Sequence, residues 1–186
     1  MAESLDNGAV ASLRAHAQQA EHGLQTQALP GPTGESNELR LHGRGVIAVL
    51  AQGATPAEIH AAIAAAVVAG NAVVLLGADN SERLREVWLR AGLPAALLSL
   101  QPGDNGTQNA LLADARLAGV CLAGAANSSG RAVLRQLVAR PGAILPLISA
   151  AEVANPRQQY RFAAEQTLTI NTAAAGGNAA LLAGLH

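Results

Sequence analysis

Two side chains in this sequence could take part in covalent chemistry, the single cysteine Cys121 and the acidic Glu152. A cysteine thiolate can attack a carbonyl carbon, and a nearby carboxylate can serve as the general base. Cys121 lies in the middle of the apolar run GVCLA at 119–123, which contains no histidine or arginine that would lower the pKa of the thiol. We therefore predict a buried structural thiol and no catalysis by this chain alone.

A dinucleotide-binding cleft is a second candidate site. Gly77 and Asn80 follow one apolar run, and Gly124 and Asn127 follow another. Turns that follow parallel strands, and the helix N-termini after them, are natural pyrophosphate sites because their backbone N–H groups point at the anion. The HGRG motif at 42–45 precedes an apolar run, whereas a dinucleotide fingerprint follows one. We predict that this cleft is vestigial and that the domain holds no cofactor and no metal ion.

The composition indicates a closely packed domain and excludes several classes of partner. Half of the 186 residues are hydrophobic, but only Trp88, Tyr160 and Phe162 are aromatic, so helices must pack closely on a sheet. Twelve arginines face 13 acidic residues, which gives no electrostatic case for nucleic acid or anionic membranes. A lone cysteine and the lack of a visible signal peptide predict a cytoplasmic location.

Apolar runs alternate with helical patterns through the middle of the chain. Thr55 is a typical N-cap, because Pro56 follows at the first helical position and Glu58 lies in the first turn. Such alternation predicts an α/β fold, a Rossmann-like parallel sheet of about five strands with helices on both faces. The predicted strands are 45–50, 71–76, 96–100, 119–123 and 144–148, and the predicted helices are 55–69, 80–92, 109–115 and 128–139.

The two ends of the chain follow other patterns. Residues 4–27 predict a helix ending near Gly23, and 29–44 predict an irregular connector whose second half is an edge strand. Residues 166–171 alternate at period two and predict a strand that joins another sheet, either its own or a partner's. We therefore divide the chain into an N-terminal helical segment, a Rossmann-like domain, and a linker with a C-terminal β tail. Their bounds are 1–27, 28–151 and 152–186.

The segment 65–104 resembles aldehyde dehydrogenases, in which it is usually written AAGNTVVLKPSEQTP…LLxEAGLPxGVLNVVxGxG. In that family the lysine of VVLKP holds the adenosine ribose of NAD, but this chain has Leu76 there and contains no lysine. LAGAANSSG at 122–130 corresponds to the family's FTGSTxxG loop and keeps only the first glycine in place. In LPLISAA at 145–151 the position of the family's general base is Ser149 or Ala150. The resemblance implies a retained scaffold without its chemistry.

Two end motifs resemble a more specific family, the proline utilization A enzymes. These motifs are LPGPTGESNEL at 29–39 and TLTINTAAAGGNAALLAG at 167–184. The resemblance implies a non-catalytic C-terminal domain of a bifunctional enzyme that uses FAD and NAD to convert proline to glutamate. Such a domain packs on the aldehyde dehydrogenase domain of the same polypeptide and seals the cavity that channels pyrroline-5-carboxylate. The residues implied in this lid are Thr167, Leu168, Ile170, Asn171, Gly176, Gly177 and Asn178.

Two other functions remain open at this point. The vestigial cleft is compatible with a regulatory module that senses NAD(H), and the chain could also be a free-standing oligomeric scaffold. Self-association through the C-terminal strand is a further expectation, because an exposed strand edge can pair with a second copy.

Overall fold

The computed structural model describes residues 2–124 and 130–171, which form two β-sheets and the helices around them. The helices are α1 (Ala2–Gly23), α2 (Pro56–Val68), α3 (Ser81–Arg90), α4 (Asn105–Ala113), α5 (Gly130–Val138) and α6 (Ala150–Val153). The strands are β1 (Gln27–Leu29), β2 (Glu35–Gly43), β3 (Val46–Leu50), β4 (Ala72–Leu76), β5 (Leu98–Gln101), β6 (Leu117–Leu122), β7 (Leu147–Ile148) and β8 (Ala163–Asn171). In this part of the chain no helix is both long and apolar enough to cross a membrane.

The central sheet has the strand order β5-β4-β3-β6-β7, and all of its neighbouring strands are parallel. Its central strand β3 is an almost continuous run of fully buried apolar residues, as expected where helices cover both faces. The chain winds outward from β3 to one edge, returns, and then adds β6 and β7 on the other side. This confirms the predicted α/β class and the five-stranded Rossmann-like sheet.

The helix after β3 begins as its sequence predicts. The Thr55 hydroxyl accepts a hydrogen bond from the Glu58 N–H, and the Glu58 carboxylate accepts one from the Thr55 N–H at 2.8 Å. This capping box satisfies two backbone donors at the start of α2, and Pro56 occupies the first helical position. The alanine-rich helix that follows is buried along most of its length, so its backbone lies close to the sheet.

The two faces of the central sheet carry separate core clusters. One face is covered by α2 and α3, with α1 packed outside them, and it contains the two large aromatic side chains of the core, Trp88 and Phe162. The opposite face is covered by α4 and α5 over a smaller cluster of aliphatic side chains. Its members are Ala48, Leu50, Leu76, Leu112, Leu117, Val120, Leu122, Val133 and Leu137.

Asn71, between α2 and β4, ties three segments together. Its side-chain oxygen accepts a hydrogen bond from the Gly45 N–H at 3.0 Å, and its Nδ2 donates to the carbonyls of Ala66 and Phe162, both at 2.9 Å. The Asn71 side chain is buried, so without these bonds its own amide would have neither water nor a partner. Asn71 therefore joins the end of α2 and the start of β3 to the C-terminal segment.

A second buried amide ties α1 to the same region. Gln159, in the 3₁₀ segment Pro156–Phe162, donates from Nε2 to the Ala65 carbonyl at 2.6 Å. Its Oε1 lies 2.6 Å from Nδ1 of His16, and Nδ1 is the donor because Oε1 can only accept. The first helix is thus anchored by a buried polar contact as well as by apolar packing.

The C-terminal strand β8 pairs with the chain's own β2. The order β1-β2-β8 forms an antiparallel sheet, whose register runs from Glu35↔Asn171 to Gly43↔Ala163. The strand predicted in the second half of 29–44 is therefore present, but it lies between β1 and β8 and not at an edge. The tail strand joins a sheet of its own chain. The short strand β1 was not expected from the sequence, since three residues show no periodicity.

Several predicted bounds were wrong. The helix predicted at 109–115 begins at Asn105, because the Asp104 carboxylate accepts a hydrogen bond from the Thr107 N–H and caps it. The strand predicted at 144–148 contains only Leu147–Ile148, and Ile144 is 91% exposed. The strand predicted from residue 96 begins at Leu98, after a 3₁₀ turn. The division of the chain at 27 and 151 stays a prediction.

Candidate functional site: the carboxyl edge of the central sheet

In parallel sheets of this topology, ligands bind at the carboxyl edge beside the point where the strand order reverses. Here that point lies between β3 and β6. Gly77 directly follows β4, Gly124 follows β6 by two residues, and Asn80 is the N-cap of α3, so the structure brings these predicted residues to that edge. Asn80 adopts a left-handed conformation, and its side chain makes no capping hydrogen bond. Asn127 lies outside the described residues.

The turns after β3, β4 and β5 are in direct contact. The Gln52 side chain lies across this edge, and its Nε2 donates to the Gly103 carbonyl at 2.7 Å. A Cβ atom on Gly103 would lie 2.5 Å from the Gly77 Cα, and a Cβ on Gly77 would lie 2.8 Å from the Gln52 Cγ. No side chain fits between these turns, so both glycines serve close backbone packing.

The turn after β6 closes against the turn after β3 in the same way. A Cβ atom on Gly124 would lie 3.2 Å from the Ala54 Cα, tighter than most real contacts of this kind. Further along the same face, Nε2 of Gln136 in α5 donates to Oδ1 of Asn109 in α4 at 2.9 Å, which bridges the two helices. The described part of the switch point is therefore occupied by the chain's own side chains and backbone.

These residues do not fit a dinucleotide. Leu76, at the position where aldehyde dehydrogenases carry the ribose-binding lysine, is fully buried in the smaller core cluster. It offers neither a hydrogen bond nor a charge to a ribose. Gln52, which reaches across the edge, is held there by the hydrogen bond from its Nε2 to the Gly103 carbonyl. We therefore derive no step that involves the coenzyme.

The thiol of Cys121 is inaccessible. Cys121 lies within β6 and has no exposed surface. Burial raises the pKa of the thiol far above its ordinary value, and the negative charge of Glu152 raises it further. The neutral thiol is a poor nucleophile, and a substrate has no path to it.

Glu152 has a structural role. Its carboxylate accepts hydrogen bonds from the Ser149 N–H at 2.7 Å and the Ser149 hydroxyl at 2.8 Å, and it pairs with the Arg161 Nε at 2.9 Å. Partial burial alone would raise the pKa of Glu152, but the bonds from Ser149 and the charge of Arg161 outweigh it, so the pKa is lowered. A carboxylate that caps α6 and holds an arginine is a weak general base. In residues 2–124 and 130–171, no group of three or more His, Cys, Asp or Glu side chains could hold a metal ion.

The predicted lid residues Thr167, Leu168, Ile170 and Asn171 all lie in β8, whereas Gly176, Gly177 and Asn178 lie outside the described residues. Ala163 is the only fully buried residue of β8, and β1 and β2 contain no fully buried residue. Ile170 is 49% exposed. Among the described strands, β8 also forms an edge of its sheet. The antiparallel sheet thus presents both faces and one strand edge to its surroundings.

Sequence reasoning missed the residues that close the cleft. Gln52 and Gly103 are 51 positions apart, and Gln52 belongs to no motif. Asn71 carried a weak signal, since an asparagine between an apolar helix and a strand in a buried region needs partners for its amide. Gln159 carried none, because the segment around it is polar.

Sequence comparison with known proteins identifies the family of this chain. The sequence profile of the aldehyde dehydrogenase family matches residues 3–150. The bifunctional protein PutA of Rhizobium meliloti is 36% identical over 165 residues, which cover 83% of this chain and 12% of that protein. The N-succinylglutamate 5-semialdehyde dehydrogenase of Novosphingobium aromaticivorans is 33% identical over 150 residues, which cover 78% of this chain and 31% of the enzyme. The chain therefore spans less than a third of the length of these relatives.

Solved structures agree with the fold. A variant of proline utilization A from Bradyrhizobium japonicum superposes with a TM-score of 0.63 at 33% identity, over 76% of this chain and 15% of that one. An NAD-dependent benzaldehyde dehydrogenase from Corynebacterium glutamicum superposes with a TM-score of 0.61 at 17% identity, over 78% of this chain and 40% of that one, and is similar in fold alone. From its sequence profile, its relatives and its topology, this chain belongs to the aldehyde dehydrogenase family.

Proposed function

We propose that this chain is a non-catalytic domain of a longer, cytoplasmic, bifunctional enzyme that oxidises proline to glutamate. In this proposal the longer polypeptide binds FAD and NAD in its catalytic domains, and this domain binds neither. The domain packs on the aldehyde dehydrogenase domain of the same polypeptide. Its C-terminal strand helps to seal the cavity through which pyrroline-5-carboxylate passes from one active site to the other.

Three features support a non-catalytic role. The only thiol is buried and protonated, Glu152 is held in a helix cap and an ion pair, and the carboxyl edge is filled by Gln52 and two close glycine contacts. Covalent oxidation of an aldehyde needs an accessible thiolate and a free general base. In the described part of the chain the one thiol is inaccessible, and Glu152 is engaged with Ser149 and Arg161.

The observation that carries the packing role is the exposure of the β1-β2-β8 sheet. This sheet is joined to the central fold at the Gly43–Ala163 end, where Ala163 is buried, and its other residues extend outward with both faces partly or fully exposed. A three-stranded sheet gains stability when one face is covered by another element. Leu168 and Ile170 lie on the same face of β8. Because β8 is at the edge of its sheet, its open side can pair with a strand of another domain.

The proposal is tested by deleting residues 166–186 from the longer polypeptide. We expect coupled conversion of proline to glutamate and oxidation of added glutamate semialdehyde to slow, because the cavity would open to solvent. The proline dehydrogenase step, measured with an artificial electron acceptor, should be unchanged and serves as the internal control. Unchanged coupled kinetics would contradict the sealing role.

A matched pair of point variants makes the test finer. Ile170→Asp places a charge on the exposed face of β8 without removing the β2 pairing, and should also slow coupled turnover. Ile144→Asp changes another exposed isoleucine, in the loop before β7, and should leave coupled turnover unchanged. Equal effects of the two variants would count against β8 as the covering strand.

Titration of the isolated chain with NAD and NADH tests the regulatory alternative. We expect no heat of binding at millimolar coenzyme. Binding that is lost in Gly124→Val would instead support a coenzyme-sensing module, since that substitution acts at the turn after β6.

A further inference from the structure

The outer side of α5 carries two aliphatic side chains in exposed positions. Val133 and Leu137 point inward and are buried in the smaller core cluster. Leu134 is 48% exposed and Val138 is 72% exposed. Together with two arginines they form a row at spacing i, i+3, i+4 and i+7, which places them on one face of the helix. This row, the α5 stripe, consists of Arg131, Leu134, Arg135 and Val138.

On the opposite side of the central sheet the corresponding helix is covered. α2 lies between the sheet and α1, so its outer side is buried as well as its inner side. Leu134 and Val138 would be buried if α5 had a similar cover. Leu134 and Val138 are one helical turn apart and therefore adjacent on the surface, and adjacent exposed apolar side chains with polar residues beside them are a feature of interaction surfaces.

The charges around the stripe indicate what covers it. No acidic residue occurs between Asp114 and Glu152, whereas this stretch contains four arginines. Arg116 pairs with Asp114 at 2.7 Å, and Arg140 donates from both of its terminal nitrogens to carbonyls at the end of α4. Arg131 and Arg135 form no ion pair with any residue of the described chain. Both guanidinium groups are therefore available for a partner's carboxylates, to which they can bind in bidentate geometry.

We infer that the α5 stripe is the surface by which this domain docks on the aldehyde dehydrogenase domain of the same longer polypeptide. The surface of the aldehyde dehydrogenase domain that contacts the stripe is a helix or strand that presents carboxylates beside aliphatic side chains. This inference rests on the proposed function and adds to it a second contact, on a different element from the β1-β2-β8 sheet. Arginine is enriched at interfaces and among the residues that contribute most to binding, and the buried centre of an interface is more apolar than its rim.

Two other occupants fit the stripe less well. A second copy of the chain would bring four guanidinium groups into one interface without a carboxylate. A membrane surface would meet a helix of nine residues with two exposed aliphatic side chains and no aromatic residue, which is a small apolar face for insertion. The experiment described next can detect either of these two occupants.

The experiment measures the rate at which maleimide labels a cysteine at the stripe. Val138→Cys is made in the isolated chain and in the longer polypeptide, and labelling of its peptide is followed by mass spectrometry. We expect labelling to be slower in the longer polypeptide by about tenfold or more, because a docked face has to open first. Arg83→Cys on the outer side of α3 is the matched control, and its labelling rate should be the same in both proteins.

A charge reversal links the protection to the arginines. Adding Arg131→Glu and Arg135→Glu to the longer polypeptide should raise the labelling rate of Val138→Cys toward that of the isolated chain. Adding Arg83→Glu and Arg157→Glu, which changes the net charge equally at exposed positions, should not raise it.

Four results would overturn the inference. One is equal labelling of Val138→Cys in the two proteins, and another is protection that survives the charge reversal at Arg131 and Arg135. A third is protection in the isolated chain that rises with its concentration, which would assign the stripe to a second copy. The fourth is protection of the isolated chain by phosphatidylglycerol vesicles. Failure of the sealing role would appear separately, as unchanged coupled kinetics after deletion of 166–186.

Discussion

The two faces of the central sheet are covered by different numbers of helix layers. On one face α1 covers α2, and buried amides of Asn71 and Gln159 join α1, the sheet and the C-terminal segment into one unit. On the other face α4 and α5 form a single layer, and the α5 stripe lies at its surface. This difference indicates that the first face contributes most of the stability of the domain, whereas the second is available for a partner. Each prediction below tests that comparison.

The largest effect is expected at the centre of the thicker face. Trp88 in α3 is almost completely buried and packs beside His60, with 5.9 Å between ring centroids. Trp88→Ala should lower the free energy of unfolding by about 3–5 kcal/mol, because it leaves a large cavity. Urea denaturation followed by circular dichroism measures the change. Leu137→Ala in the smaller cluster is the comparison, and a larger loss there than at Trp88 would reverse our ranking of the two faces.

The next effect concerns the buried amide of Asn71. Asn71→Ala leaves the Gly45 N–H and the Phe162 carbonyl without a partner, and should cost about 2–3 kcal/mol. Asn109→Ala removes the exposed hydrogen bond to Gln136 on the thinner face and should cost about 0.5 kcal/mol. Thermal unfolding of the two variants side by side gives the difference. Equal costs would show that the amide network does not set the two faces apart.

A smaller, pH-dependent effect is expected at His16. Burial lowers the pKa of this imidazole below its ordinary value, and the hydrogen bond to Gln159 only partly offsets that effect. Because the folded state then disfavours the protonated form, stability should fall as the pH drops below the ordinary value of about 6.5. The loss should level off below the folded-state pKa. Free energies of unfolding measured between pH 8 and pH 5 test this.

Two histidine variants provide the control for that profile. His16→Gln should flatten the decline between pH 6.5 and pH 5, since the titrating group is gone. His42→Gln, at an exposed position in β2, should leave it in place. A decline that persists in His16→Gln would assign the pH dependence to another group.

The smallest effect is expected on the α5 stripe. Val138→Ser should change the free energy of unfolding by less than about 0.5 kcal/mol, because an exposed side chain contributes little to the core. Val133→Ser, five residues earlier on the buried face of the helix, should cost several times more. A large loss in Val138→Ser would mean that this residue supports the domain itself, and not a partner.

Local features of the sequence predicted much of the fold. The strands β3 and β4 were predicted from continuous apolar runs, and α2 from the Thr55-Pro56-Glu58 signal, because these depend on neighbouring residues alone. The start of α4 was misplaced because the sequence analysis did not predict the capping role of Asp104. The strand near Ile144 was overestimated because an apolar run does not reveal whether a second layer covers it.

At the candidate site the sequence predicted the loss of chemistry but not its structural cause. The missing lysine at Leu76 and the setting of Cys121 were visible in the sequence, since each concerns a single position and its neighbours. The closure of the carboxyl edge depends on Gln52 reaching Gly103 and on Gly124 meeting Ala54, contacts that form only when separate turns come together. The partner of the C-terminal strand, β2, lies more than 100 residues away, so no local pattern could name it.

The amino-acid sequence by itself determined the α/β class, the order of the central elements and the absence of a reactive thiol, because hydrophobic periodicity, capping residues and side-chain chemistry are local properties. Only the tertiary structure decided which strand β8 joins, how the carboxyl edge of the central sheet is packed and which helix keeps an exposed face. These depend on distances between segments far apart in the chain, and such distances follow from the packing of the whole domain.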